Sequence, residues 1–425
     1  MTGSRLVLCL LLVVAVCSHA NAAPVSLVVQ LSPTASISTV LSALGATSVD
    51  SIQGGNAYLI NVDSTQVAAA SQTVAIQGAA LGIIDFHVNA RMSLLSQHLY
   101  GVVTPKQKTP ADWFKNQPAM LLTNAQSALK YASGKGVVIA DINSIVDYSH
   151  PALKGHLTSG YDFILSKPAS QTSLDQSGSD FLDQSGSDFL DQSGSDFLDQ
   201  SGSDFLDQNG AKFVIPPTTN VAYAHGTLVA GILAVSAPAA MIMPLRAFDD
   251  NGQSDEFILA KAIRYAADHG AQVINMSFGS LVDSGVVRGA CNYASAKGAI
   301  LVSSAGNNST SAPQYPAAYN SVTAVSATNI LDIKAAFSNY GSYVGIDGPG
   351  VNIVSAYPGS LYAVVSGTSF SSPMVAATAA LVQSMKMSSV LSDVESTSVN
   401  IDAQNPGYIN QLGSGRLNVL KAVHP

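Results

Sequence analysis

The sequence predicts an α/β protein in which a parallel sheet carries helices on both faces, preceded by a small α+β domain. Between Val137 and Ala327, apolar runs of strand length alternate with helix-length segments, which is typical of parallel strands joined by helical crossovers. Residues 23–92 show a shorter β-α-β-α-β alternation. After Gly367, small and apolar residues continue long enough to predict a buried helix.

Residues 1–22 have the pattern of a secretory signal peptide. Arg5 precedes the apolar run from Leu6 to Cys17, and Ala20-Asn21-Ala22 supplies the small residues of a cleavage site. Because this apolar run is too short to cross a bilayer, we expect a secreted, extracellular protein with no membrane association after the signal is removed.

The composition fits one large domain and one small domain. The chain has 425 residues and a net charge of −8, with only 11% charged residues, and this acidic balance gives no indication of a nucleic-acid partner. Of the three cysteines, Cys9 and Cys17 lie in the predicted signal peptide. Cys291 remains, so we expect no intrachain disulfide in the mature protein.

Residues 23–92 are predicted to form the small domain, and residues 93–119 a linker. The predicted strands and helices alternate in the order Val25–Leu31, Ile37–Leu44, Asn56–Val62, Thr65–Gln77 and Ile83–Val88. The linker contains the polar, proline-bearing segment Thr104–Pro110, which is suited to proteolytic cleavage. The pattern leaves open whether the small domain is removed or retained.

Residues 120–425 are predicted to form the larger domain, whose strands alternate with helices. In chain order these elements are Gln126–Ala132 (helix), Val137–Asn143 (strand), Thr227–Val235 (helix), Met241–Arg246 (strand), Glu256–His269 (helix) and the strands Val273–Gly279, Ala299–Ser303 and Val322–Ala327.

Three polar residues in this domain are candidates for nucleophilic chemistry. Ser369 is the candidate nucleophile, because its hydroxyl opens the predicted buried helix near the positive end of the helix dipole. His225, which begins His-Gly-Thr-Leu-Val-Ala-Gly, is the candidate base. Asn307, which ends Ser-Ala-Gly-Asn, is the candidate oxyanion donor. The serine lacks the second glycine of a G-x-S-x-G elbow, which disfavours an α/β-hydrolase.

The motifs HGTxVAG, AGN and GTSxxxP, in this order, resemble those of the subtilisin-like serine proteases. The resemblance implies a subtilisin-like fold, polypeptide substrates, and an acyl-enzyme mechanism carried by Ser369 and His225. It implies that residues 23–92 are an inhibitory propeptide that binds its own catalytic domain. It also implies that two strands flank an extended peptide: Ser277, Phe278 and Gly279, and Ser304, Ala305 and Gly306.

Neither a cofactor nor a metal is expected. Members of this family commonly carry a calcium loop after the catalytic histidine, but Gly231–Pro238 continues without one. We expect the protein to act as a monomer.

The family resemblance implies a catalytic triad with an acidic third residue, and the position of that residue is ambiguous in this sequence. Ungapped alignment from Gly136 or from His150-Pro151 puts Asn143 at its position, whereas the apolar run Val137–Ala140 stops at Asp141. Residues two apart on a strand share a face but lie about 6 to 7 Å apart along it. Both residues therefore stay candidates for the third catalytic position.

Residues 174–213 contain an acidic octapeptide repeat. The sequence Leu-Asp-Gln-Ser-Gly-Ser-Asp-Phe occurs four times in register and then decays. Its nine aspartates against one lysine equal the whole net charge of −8. We expect a disordered acidic surface insertion, with a calcium-binding β-roll as the alternative, although that roll has a nine-residue period.

Two functions follow from these expectations. The chain is either a secreted serine endopeptidase or a catalytically impaired relative that serves as a binding or structural protein. Asn143 motivates the second hypothesis, whereas intact Ser369, His225 and Asn307 favour the first.

Overall fold

The computed structural model describes residues 23–104, 112–169, 212–214, 221–386 and 390–424. The predicted signal peptide, part of the predicted linker and nearly all of the octapeptide repeat lie outside the described residues. Two compact units are present. The first contains residues 23–91 together with 255–261 and 284–290, and the second contains the other described residues.

The described strands are numbered in chain order. They are β1 Val25–Leu31, β2 Thr47–Ile52, β3 Ala57–Val62, β4 Ile83–Val88, β5 Arg91–Leu94, β6 His98–Thr104, β7 Val138–Asn143, β8 Gly160–Asp162, β9 Lys167–Ala169, β10 Lys212–Val214, β11 Met241–Arg246, β12 Gln253–Asp255, β13 Val273–Met276, β14 Phe278–Gly279, β15 Ile300–Ser304, β16 Thr323–Thr328, β17 Val344–Pro349, β18 Ile353–Tyr357 and β19 Leu361–Ser366.

The described α-helices are numbered in the same way. They are α1 Ile37–Leu44, α2 Val67–Gln77, α3 Asp112–Lys115, α4 Pro118–Leu122, α5 Ala125–Ala128, α6 Val221–Ser236, α7 Glu256–Asp268, α8 Gly285–Ala296, α9 Thr368–Ser384, α10 Val390–Ser396 and α11 Val419–Val423.

The first unit is built on an antiparallel sheet of order β2-β3-β1-β4. Leu27 and Val29 alternate along β1 and pack with Val40 of α1 and Val74 of α2 in one apolar core. The predicted helix over Ile37–Leu44 is confirmed, and it ends at Gly45 in the left-handed conformation with φ 59°. Strand β2 was not predicted, because most of its residues are exposed and it has no continuous apolar pattern.

The second unit contains the predicted α/β sheet. Its eight strands have the order β17-β16-β15-β13-β7-β11-β8-β9. The pairs from β17 to β8 are parallel, and β9 is an antiparallel edge. Helix α9 is buried from Thr368 to Val382, as its small and apolar composition predicts. In such sheets, ligands bind beyond the carboxyl ends of the strands, and this edge carries Asn143, Ser277 and Asn307.

Three elements differ from the sequence expectation. Helix α6 begins at Val221 rather than at Thr227, so His225 lies inside the helix. The predicted strand Val273–Gly279 is divided, because β13 belongs to the parallel sheet whereas β14 pairs with β5. Within the predicted linker, β6 pairs with β19 and β10.

No helix within the described ranges combines the length and the hydropathy needed to cross a membrane.

Candidate active site

Strand β7 ends with two buried polar side chains on one face. The Oδ1 atom of Asn143 lies 2.6 Å from Nδ1 of His225 and accepts the backbone N–H of Ser144 at 2.9 Å. The Nδ2 atom of Asn143 donates to the Asp141 carboxyl oxygens at 3.2 and 3.3 Å. Asn143 therefore contacts the imidazole, and Asp141 lies behind Asn143.

His225 is held in place by the packing of α6 against the end of β7. The Ser144 hydroxyl donates to the carbonyl of Tyr223 and accepts the N–H of Gly226 at 3.0 Å. A Cβ atom on Gly226 would lie 2.6 Å from the carbonyl oxygen of Ser144, so only glycine permits this approach. Burial lowers the pKa of His225 to about 3. The imidazole is therefore neutral, and its Nε2 has no hydrogen-bond partner in the described part of the chain.

Ser369 lies in the first turn of α9, where backbone N–H groups have no acceptor inside the helix. Pro373 has no N–H to donate to the carbonyl of Ser369, four residues before it. That carbonyl instead accepts the Ser277 hydroxyl at 3.1 Å. The Oγ atom of Ser369 lies 3.5 Å from the Ser277 carbonyl oxygen. The proline thus frees a backbone acceptor through which Ser277 fixes the position of Ser369.

Asn307 is oriented by the start of the same helix. Its Oδ1 accepts the backbone N–H of Thr368 at 2.9 Å and the Thr368 hydroxyl at 2.8 Å. The amide nitrogen must then face away from Thr368, and it donates to the backbone carbonyl of Ser96. Asn307 therefore presents an N–H donor to a peptide carbonyl of the same chain.

Strand β5 pairs with β14, which contains two residues of the predicted peptide-binding segment. Leu94 and Ser93 pair antiparallel with Phe278 and Gly279, and the Leu94 N–H donates to the Gly252 carbonyl at 3.0 Å. The sequence reasoning missed Gly252. Its neighbours Asp249, Asp250 and Asn251 have the composition of a turn, but no signal in them marks a peptide-binding backbone.

The other predicted binding segment, Ser304 to Gly306, is buried. Ser304 pairs with Val325 in the parallel sheet, and the Gly306 N–H donates to the Thr368 hydroxyl at 3.2 Å. The Ala305 carbonyl accepts the Asn339 amide at 3.0 Å. These residues are buried and support the loop that carries Asn307.

Asp141 is enclosed by amide donors. The Asn275 Nδ2 atom donates to Asp141 at 2.9 Å and to the Ser277 hydroxyl at 3.1 Å, while Asn275 Oδ1 accepts the Ser372 hydroxyl at 2.8 Å. Burial raises the pKa of Asp141 to about 7, opposed by the hydrogen bonds from Asn275 and Asn143. Sequence reasoning missed Asn275 and Ser372, which carry no motif of their own.

Among the described residues, no cluster of three or more His, Cys, Asp or Glu side chains is arranged to hold a metal ion.

The structure places the Ser369 hydroxyl against the Ser277 carbonyl and shows no hydrogen bond from it to Nε2 of His225. A serine, an imidazole and an amide donor at the carboxyl edge of a parallel α/β sheet are the groups that a serine hydrolase uses. Residues 134–415 match the Subtilase family, Peptidase S8. The chain belongs to this family of serine-type endopeptidases, and the resemblance stated from its motifs is confirmed.

Three similar proteins agree with this family assignment. The chain is 33% identical over 311 residues to "Thermitase" from Thermoactinomyces vulgaris, covering 70% of this chain and 92% of the relative. It is 36% identical over 270 residues to "Thermophilic serine proteinase" from Bacillus sp. strain AK1, covering 61% and 55%. It is 34% identical over 215 residues to "Subtilisin BL" from Lederbergia lenta, covering 48% and 78%.

A solved structure has the same fold. Fervidolysin from Fervidobacterium pennivorans, described as a keratinolytic enzyme related to subtilisin, superposes with a TM-score of 0.69 at 22% identity. The superposition covers 96% of this chain and 62% of the fervidolysin chain. The subtilisin-like α/β fold predicted from the sequence is confirmed.

Proposed function

We propose that this protein is a secreted serine endopeptidase whose first substrate is its own chain. The observation that carries the proposal is the contact between the Asn307 amide and the Ser96 carbonyl. Just before Ser96, strand β5 pairs with β14, and just after it β6 pairs with β19. A peptide held by strands on both sides of an amide donor lies as an extended substrate does in β-augmentation.

The proposed reaction uses Ser369, His225 and Asn307. The Ser369 oxygen attacks the peptide carbonyl while Nε2 of His225 takes the hydroxyl proton. The Asn307 Nδ2 and the Ser369 backbone N–H stabilise the oxyanion. His225 then gives the proton to the leaving amine as the C–N bond breaks. A water molecule, deprotonated by His225, hydrolyses the acyl-enzyme and restores Ser369. Through its Oδ1, Asn143 orients the imidazole.

Two observations point to adjacent bonds as the self-cleavage site. The carbonyl that Asn307 contacts belongs to the Ser96–Gln97 bond. The buried side chain beside it, however, is Leu95, which is 6% exposed, whereas the Ser96 side chain is exposed. A buried apolar side chain is the usual anchor of a bound peptide, and it indicates the Leu95–Ser96 bond. Self-processing therefore leaves a mature chain that begins at Ser96 or Gln97.

Residues 23–92 would then be a propeptide that is separated from the catalytic domain by this cleavage. Their apolar cluster contains only residues between Val25 and Val88, as expected of a small domain with a core of its own. The signal-peptide pattern at residues 1–22 supports secretion.

The test is to express the wild-type chain and the Ser369→Ala variant in a protease-deficient host. The wild-type protein should be secreted, should begin at Ser96 or Gln97 by mass spectrometry, and should be labelled at Ser369 by a serine-directed phosphonate. Ser369→Ala should accumulate at full length. Maturation of Ser369→Ala at the same bond would exclude self-processing.

A second candidate function follows from Asn143, which contacts His225 where the family resemblance implies an acid. A catalytically impaired subtilase would bind polypeptides without cleaving them. Correctly folded wild-type protein that neither hydrolyses peptides nor reacts with the phosphonate would establish this alternative.

A further inference from the structure

We propose that Asp141 is a positioning residue, which fixes the side-chain amide of Asn143 with its oxygen toward His225. In this orientation the imidazole carries its proton on Nδ1 and keeps Nε2 unprotonated for Ser369. The inference rests on the proposed endopeptidase function and deepens it, because it explains how an asparagine serves at this position.

The surroundings of Asp141 make its carboxylate an acceptor. Asn275 faces it from β13, and the Asn275 oxygen already accepts the Ser372 hydroxyl, so the Asn275 nitrogen must point to Asp141. The second partner is the Asn143 side chain, 3.2 Å away. Because an ionised carboxylate has no donor, Asn143 must turn its NH₂ group toward Asp141.

The opposite end of the Asn143 amide is fixed independently. The Ser144 backbone N–H donates to Oδ1 at 2.9 Å. Reversing the amide would place its NH₂ group against this N–H and its oxygen against the Asp141 carboxylate. Both contacts would become repulsive in a fully buried environment, where unpaired polar groups are costly.

The fixed amide oxygen determines the tautomer of His225. An acceptor 2.6 Å from Nδ1 requires a proton on Nδ1 in the neutral ring. When the acid of a serine-protease triad is simply changed to asparagine, the wrong tautomer is held and kcat falls by about 10⁴-fold. Asp141 prevents that outcome here by leaving the amide a single favourable orientation.

The protonation state of Asp141 controls the orientation of the Asn143 amide and, through it, the tautomer of His225. The groups that face it are the neutral amides of Asn275 and Asn143, and the next titratable group along the contacts is His225 on α6. Burial raises the pKa of Asp141 to about 7. Below that pH the protonated carboxyl becomes a donor, which favours the reversed amide, so kcat should fall as pH decreases through about 7.

The decisive experiment compares the variants Asp141→Asn, Asn143→Asp and the double exchange Asp141→Asn/Asn143→Asp. An asparagine at position 141 can donate as well as accept, so it no longer fixes the amide of Asn143. Asp141→Asn should lower kcat by about 10²- to 10⁴-fold with KM nearly unchanged, and the fall of kcat near pH 7 should disappear. The double exchange should restore kcat, because a carboxylate then contacts His225 directly.

The matched control is Asp347→Asn, which also replaces a buried carboxyl on the same sheet but lies beside Ser326, away from His225. It should leave kcat unchanged. Wild-type activity retained in Asp141→Asn would overturn the positioning role while leaving the proposed function intact. Low kcat in Asp141→Asn that the double exchange fails to restore would likewise overturn it in favour of a purely structural role. A wild-type protein that is not labelled by the phosphonate would refute the proposed function itself.

Discussion

Replacing Asn143 with aspartate tests how the charge of Asp141 acts on the imidazole of His225. In the wild-type protein, the carboxylate acts on His225 through the amide, whose contacts span 3.2 Å on one side and 2.6 Å on the other. Unit charges attract by about 2 kcal/mol at about 8 Å and by about 4 kcal/mol at about 4 Å, for an effective dielectric constant of about 20. Moving the charge to position 143 should therefore stabilise the imidazolium by about 2 kcal/mol more, which is a factor of about 30 in kcat.

The two carboxyls of Asn143→Asp would lie in contact and share one proton. The residue at position 143 would accept the Ser144 N–H and the imidazole N–H, which favour its charged form, while burial favours a protonated Asp141. The variant thus keeps its negative charge beside His225 below pH 7, where the wild-type protein loses the charge of Asp141. The gain in kcat should consequently increase from about 30-fold at pH 8 to about 300-fold at pH 6, where about a tenth of Asp141 is still ionised in the wild-type protein.

The assay is the kcat for a chromogenic peptide between pH 5 and 9, with active sites counted by phosphonate titration. The double exchange Asp141→Asn/Asn143→Asp serves as the control, because it places a single carboxylate at position 143. A variant whose kcat equals or falls below the wild-type value at every pH would refute the electrostatic reasoning.

Three further predictions concern the rest of the site and the repeat. Asn307→Ala should lower kcat by about 10²- to 10³-fold, the cost of one oxyanion donor, whereas exposed Asn308→Ala should not. Gly226→Ala should lower both kcat and the free energy of unfolding, the latter by about 1 to 3 kcal/mol, because its Cβ would lie 2.6 Å from two backbone oxygens. Gly289→Ala in α8 is the matched control: its Cβ meets no atom within 4 Å, so thermal melting should show equal or higher stability. Deleting residues 174–205 shortens the connection between Ala169 and Lys212 from 42 to 10 residues. This change should raise stability by about 1 kcal/mol and leave kcat unchanged, and lost calcium-dependent stability on deletion would support a β-roll instead.

The sequence predicted the strands of the larger sheet better than the connections around them. Apolar runs such as Met241–Arg246 define strands wherever the pattern is continuous, and β11 has those bounds. Helix α6 starts at Val221 rather than at the predicted Thr227, and it includes Gly226, whose lack of a side chain permits the close approach to the Ser144 carbonyl. The contacts of Asn275 and Gly252 depend on which strands become neighbours, and no local pattern reports that pairing.

The ambiguity between Asp141 and Asn143 has a physical origin. Residues two apart on a strand share a face, so the sequence alone allowed either one to contact the base. In the structure both residues belong to one chain of hydrogen bonds: Asn143 contacts His225, and Asp141 contacts Asn143. An acceptor next to Nδ1 and a negative charge are separate requirements of a serine-protease base, and one aspartate normally meets both. Here an amide oxygen can supply the first while a carboxylate one contact further away supplies the second. Under the proposed function, the greater distance between this charge and His225 should make a slower enzyme, whose activity should depend more steeply on pH near neutrality.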